Sequence, residues 1–223
     1  MIKKTIPYIF LLLISFISHA EIKSMSILYT NDLHSHLLPS IQTRISETRP
    51  VGGFANIATL VREKKLSDPD TIYIDSGDYF SGPYVSTLTN GAAVIESMNY
   101  LGLDVACIGN HEFDHGWENT LEQLNKANFP IVNGNIFYKN SDQLFWDNPY
   151  VILNKAGLKI GVIGLHGKFA FYDTINFKMI EAIETRDEVY YLKKYIAELK
   201  PITDIIILSC LLYTSPSPRD ETK

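Results

Sequence analysis

A chain of 223 residues with 46% hydrophobic and 12% aromatic side chains can bury the core of one ordinary domain, which excludes disorder as its main state. Its 20 Lys and Arg against 25 Asp and Glu leave a net charge of −5, and with no basic cluster polymeric nucleic acid is disfavoured as a partner. Two cysteines, Cys107 and Cys210, are too few for a disulfide framework.

In chain order, the first twenty residues place Lys3 and Lys4 before an apolar run from Ile6 to Ile17, followed by Ser18-His19-Ala20. That is the pattern of a secretory signal cleaved after Ala20, and the apolar run is short of the roughly 20 residues a membrane-spanning helix needs. The expectation is an exported protein, periplasmic or extracellular, with no stable membrane anchor. Ser26–Thr30, "SILYT", reads as a strand that ends at "NDLHSH". Phe54, Ile57, Leu60 and Val61 then recur at helical spacing, and "TIYI" from Thr71 to Ile74 is a second strand ending at "DSGD". After a loop "YFSGPYV", residues Ala92, Ile95, Met98 and Leu101 form a helical stripe closed by Gly102. A third strand, Val105 to Ile108, ends at "GNHEFDHG".

Trp117, Leu121 and Leu124 mark a further helix, and Pro130 to Val132 a short strand. "YVILNKAGLKIGVIGL" reads as a hairpin turning at Asn154 to Gly157. Val189, Leu192, Ile196 and Leu199 give a helix stopped by Pro201, and Asp204 to Leu208, "DIIIL", a last strand. This alternation predicts an α/β fold with strands buried between helical layers.

Three successive strands thus end in polar clusters: Asp32 and His34, then Asp75 and Asp78, then Asn110, His111, Glu112 and Asp114. In open α/β sheets the carboxyl ends of the strands gather at one edge, so the clusters can converge. Asp, His and Asn together offer oxygen and nitrogen donors suited to Zn, Mn, Fe or similar divalent ions. Taken singly, each cluster is also an ordinary turn composition.

Asp32-x-His34, Gly77-Asp78 and "GNHEFD" (Gly109 to Asp114) resemble the first three motifs of the calcineurin-like metallophosphoesterases, and "GNHEFDHG" resembles their secreted 5′-nucleotidase branch, some of which also cleave 2′,3′-cyclic phosphodiesters. "GGFANIATLV", "ANFPIVNGNI" and "KIGVIGL" carry the likeness across most of Ile27 to Ser209. The resemblance implies a layered α/β/β/α sandwich, incomplete at its C-terminus, and two divalent metal ions. Asp32 and His34 would bind the first, Asp78 would bridge both, and Asn110 would bind the second. His111, oriented by Asp114, would act on the phosphate or leaving group without ligating metal, and water activated by the metal pair would be the nucleophile. Asp75 is expected to support its loop, Glu112 and Phe113 to be scaffold, and His36 and His115 to be outer partners of the site or plain surface residues. The motifs give His166 no role. The implied activity is hydrolysis of a nucleotide phosphate ester, with cyclic nucleotides, nucleotide sugars or sulfur esters as alternative substrates and a binding protein without turnover as the alternative class.

The family pattern continues after the last strand with a Ser-His pair and later histidines, but here Ser209 is followed by Cys210. The run "CLLYTSPSPRD", Cys210 to Asp220, also matches one reading frame of a transposase adaptor used in sequencing libraries. The expectation is therefore a signal peptide over 1–20, the N-terminal part of the metallophosphoesterase domain over 21–209, and a non-native tail over 210–223. On that reading the fragment lacks metal ligands and is weak or inactive, and a C-terminal substrate-binding domain belongs to the parent chain.

Overall fold

The structure, a computed structural model, describes residues 22–211. The expected signal, residues 1–20, lies outside the described residues, as does the tail beyond Leu211. Among the described residues no helix is long and apolar enough to cross a membrane.

The first sheet is parallel. Strand β1 (Ser26–Thr30) pairs with β2 (Thr71–Asp75), β2 with β3 (Val105–Cys107), and β3 with β4 (Ile131–Val132). Helices α1 (Phe54–Ser67), α2 (Tyr84–Thr89), α3 (Ala92–Met98) and α4 (Trp117–Leu124) connect them. Side chains alternate across a strand, and the alternation sorts them into layers. Tyr73 and Ala106 join Phe54 and Val61 of α1 and Val94, Ile95 and Met98 of α3 on the helical face. Ile72, Ile74, Val105 and Val132 point the other way.

That second face meets a second sheet. Its strand β7 (Leu158–His166) pairs antiparallel with β6 (Tyr150–Lys155), the expected hairpin, and parallel with β9 (Ile205–Leu211). Ile160 and Val162 of β7 pack against Ile72, Ile74, Val105 and Val132, and all six are buried. Each such aliphatic side chain stabilises the fold by roughly 1.5–3 kcal/mol relative to exposure. On the outer face, Ile163 and Leu165 pack with Tyr195 and Leu199 of α6 (Glu188–Leu199), whose first turn is capped by Asp187 accepting from the Tyr190 amide at 2.6 Å. The order is helix, sheet, sheet, helix, the predicted α/β/β/α sandwich. A short antiparallel ribbon of β5 (Ile136–Tyr138) and β8 (Ile183–Thr185), with α5 (Lys168–Thr174), completes the described chain.

Several details differ from expectation. The segment read as a loop becomes helical from Tyr84, because Pro83 precedes the first turn and Asn90 closes it in a left-handed conformation, φ 48°. The third helix ends at Met98, so Leu101 lies in the following turn, still buried against the same cluster. The last strand runs past Leu208 to Leu211, since Ser209, Cys210 and Leu211 continue the ladder with Gly164, Leu165 and His166.

Candidate metal centre

The parallel pairing of β1 and β2 continues into the loops beyond them. The amides of Asp32, His34 and Ser35 donate to the carbonyls of Gly77, Asp78 and Tyr79 at 3.0, 3.0 and 2.9 Å. Two sequence clusters are thereby laid side by side. Asp32, His34, Ser35, Asp78 and Ser81 all have positive φ, between 42° and 61°. Non-glycine residues rarely adopt this conformation and hold it only where the surroundings over-determine it, which is characteristic of functional sites.

The third cluster is tied in through Glu112. Its buried carboxylate accepts four backbone N–H bonds, from Asp78 (2.9 Å) and Gly109 (2.6 Å) on Oε2 and from Tyr79 (2.9 Å) and Phe80 (3.0 Å) on Oε1. Burial, then the neighbouring Asp78, push this group up to about 8, and the amides pull it down. The geometry favours the carboxylate, because all four donors point at its oxygens and a carboxylic proton would face N–H groups. The His111 amide donates to Asp78 Oδ1 at 2.9 Å, a second link between the same two loops. Asp75 is buried and accepts from Thr30 Oγ1 at 2.6 Å and from the Gly77 amide at 2.9 Å, so it supports the loop it precedes.

These bonds bring the predicted site residues to one edge. Candidate ligand atoms of His34, Asp78 and His111 lie within 4.8 Å of one another. Asp32 Oδ1 lies 3.4 Å from His34 Nε2, and the His34 and His111 rings meet edge to face at 4.8 Å between centroids. The Asn110 amide, fully buried, lies 3.2 and 3.3 Å from the two Asp78 oxygens. His111 Nδ1 is 2.7 Å from Asp114 Oδ2, which also accepts from Ser81 Oγ. The Asp114 hydrogen bond is the largest of the influences that raise His111 to about 9. Asp114 itself is held below the usual carboxylate range, since the bonds from His111 and Ser81 outweigh its burial.

Burial raises Asp78 although His111 opposes the shift. A buried carboxylate that resists ionisation, facing an amide and two imidazoles, is a donor set that fits a divalent cation: the cation repays the desolvation, and oxygen and nitrogen ligands suit it. His111 belongs to the close group by position, although the motif assigned it no ligand role. Cys210, at the position of the expected histidine, packs with the cluster on the α6 side of β9, and burial pushes its thiol up to about 12. Ser209 instead faces the other sheet, its Oγ 3.1 Å from Ser76 Oγ. His166 is fully buried, its ring against Phe171. His36 is exposed, and His115 is half-buried.

Ser81 and Thr174 escaped the sequence reading. Ser81 had a weak signal in its place beside Gly82 in the loop after Asp78, whereas nothing in "FYDTI" marks Thr174.

A strand edge that gathers such donors beside a carboxylate-held histidine defines a metallohydrolase type of site. The chain belongs to the calcineurin-like phosphoesterase family, whose model matches residues 25–215. It is 36% identical over 151 residues to the 5′-nucleotidase of Bos taurus, covering 65% of this chain and 26% of that protein. It is 33% identical over 185 residues to a snake venom 5′-nucleotidase of Gloydius brevicauda, covering 78% and 30%. Among solved structures, a 5′-nucleotidase precursor from Thermus thermophilus superposes with a TM-score of 0.73 at 26% identity, covering 84% of this chain and 37% of that one. The chain thus spans about a quarter to a third of the length of these curated relatives.

Proposed function

We propose that this chain is the catalytic part of an exported, metal-dependent phosphoesterase acting on nucleoside 5′-monophosphates. The observation that carries the reading is the convergence of His34, Asp78 and His111 within 4.8 Å. Asp32, His34, Asp78 and Asn110 would hold divalent ions, two by the likeness of the motifs. When bound, such ions supply Lewis acidity toward the phosphoryl oxygens and a nucleophile from water near neutral pH.

The chain's own residues do the rest. Asp114 fixes His111 Nδ1 as a donor and favours the imidazolium, which leaves Nε2–H to stabilise charge growing on a phosphoryl or leaving-group oxygen. Glu112 holds the Asp78 loop against the turn that carries Asn110 and His111, so these groups keep their spacing. Four ligands are too few for a firmly held pair, and the remaining donors are proposed to come from native sequence after Ser209. The limited coverage of the relatives supports a further substrate-binding domain in the parent chain. Export rests on the N-terminal sequence and fits a relative found in venom.

The test is phosphate release from 5′-AMP by the full-length chain. Activity is expected to vanish with chelator and return with divalent metal, and His111→Ala is expected to lower turnover roughly 10²- to 10⁴-fold. Chelator-insensitive release would overturn the metal reading, and an unchanged rate in the variant would remove His111 from the chemistry.

A further inference from the structure

Asn110 is buried between two partners of different kinds. One end of its side-chain amide lies against both Asp78 oxygens, at 3.2 and 3.3 Å, and the other lies 3.0 Å from Thr174 Oγ1 at the end of α5. Thr174 Oγ1 is also 2.5 Å from the Ala170 carbonyl. An amide has a donor end and an acceptor end, whereas a hydroxyl can donate one proton and accept at the same time.

Two arrangements therefore close. With nitrogen toward Asp78, Asn110 donates to the carboxylate, and Thr174 donates to Asn110 Oδ1 and turns from Ala170. With oxygen toward Asp78, Asn110 Nδ2 donates to Thr174 Oγ1, and the Thr174 proton goes to the Ala170 carbonyl. With Asp78 ionised, the second arrangement sets an amide oxygen against carboxylate oxygens, which repel one another unless a cation is shared between them. It is also the one that uses the short bond to Ala170.

We infer that Thr174 is a positioning residue that presents Asn110 Oδ1 to the candidate metal centre and relaxes to the other arrangement when no cation is bound. The inference rests on the metal-centre reading of the proposed function. A valine at position 174 keeps the shape but can neither accept from Nδ2 nor donate to Oδ1, so the oxygen-forward amide would leave its buried N–H unpaired.

The experiment is calorimetric titration of Zn²⁺ into the chelator-stripped full-length chain. Thr174→Val and Thr174→Ala should each weaken binding about tenfold to hundredfold, the usual range for an outer partner of a ligand, while Thr174→Ser stays within about threefold of wild type. In an Asn110→Asp background the valine substitution should cost less than about threefold, because a carboxylate presents oxygen whichever way it turns. Equal losses in the serine and valine variants, or an undiminished loss in the aspartate background, would reduce Thr174 to packing and overturn the inference. Wild-type affinity in the valine and alanine variants, with Asn110→Ala weakened, would overturn it and leave the metal centre standing. Failure of wild type to bind, or wild-type affinity in both His34→Ala and Asn110→Ala, would instead overturn the metal centre itself.

Discussion

Glu112 is the residue on which the geometry of the edge turns. Its two oxygens take four amide protons from both halves of the site, including the amides of Asp78 and Gly109. Glu112→Gln conserves the shape but sets an NH₂ group against two of those donors. Two buried N–H groups left without acceptors, at roughly 1–3 kcal/mol each, predict a loss of about 2–6 kcal/mol. Urea unfolding of the variant measures it, and a loss below about 1 kcal/mol would show that the nest tolerates a neutral side chain. The sequence placed Glu112 only as scaffold beside His111 and Asp114. Three of its partners are about 30 positions away, and all are backbone amides, which leave no trace in residue identity.

At the scale of elements, the loops after β2 and β3 touch through glycines. Gly77 has φ +108°, and a Cβ there would come within 2.5 Å of the Gly109 nitrogen, while a Cβ on Gly109 would meet the Asp78 nitrogen at 2.5 Å and its Oδ1 as well. Gly109→Ala is therefore expected to cost about 1–3 kcal/mol by overpacking and to displace Asp78, weakening metal binding along with stability. Thermal unfolding together with Zn²⁺ titration checks both, and a destabilised variant with wild-type affinity would show that the loop relaxes without moving Asp78. The convergence of Asp32, His34, Asp78 and Asn110 was legible because each cluster follows an apolar strand, and parallel strands end together. The β6–β7 hairpin and helices α1 and α6 were legible from apolar spacing, although Leu60 of the α1 stripe and Val189 of the α6 stripe are exposed. Helix α2 was not, since Val85, Thr87 and Thr89 in six residues favour strands and only the Pro83 and Asn90 boundaries make the turn helical. Helix α5 was missed because its packing face, Ala170 and Phe171, is too short to show a period.

At the scale of the whole molecule, the buried ionisable groups set how stability varies with pH. His166 is fully buried against Phe171, with no hydrogen-bond partner for Nε2 among the described residues and Nδ1 2.9 Å from the Gly167 carbonyl, and desolvation lowers it to about 4 from an ordinary 6.5. The unfolded chain then binds this proton first. The stability tied to a neutral His166 is fully present above pH 6.5 and is lost as pH falls toward 4, by up to about 3 kcal/mol, with a slope approaching 1.4 kcal/mol per pH unit inside that window. Asp75 acts in the opposite sense: burial raises it to about 7, so its contribution is lost as pH rises toward 7. The two partly cancel in the wild-type curve, so only a difference between variants isolates His166. His166→Leu removes the group while keeping an apolar side chain among Phe171 and its neighbours. Subtracting its urea-unfolding curve from that of wild type, at fixed metal concentration from pH 4 to 7, should leave a dependence of about one proton, steepest between pH 4 and 6.5. A flat difference across that window would mean that the folded chain already accommodates the protonated ring, and that water reaches His166 beside Phe171.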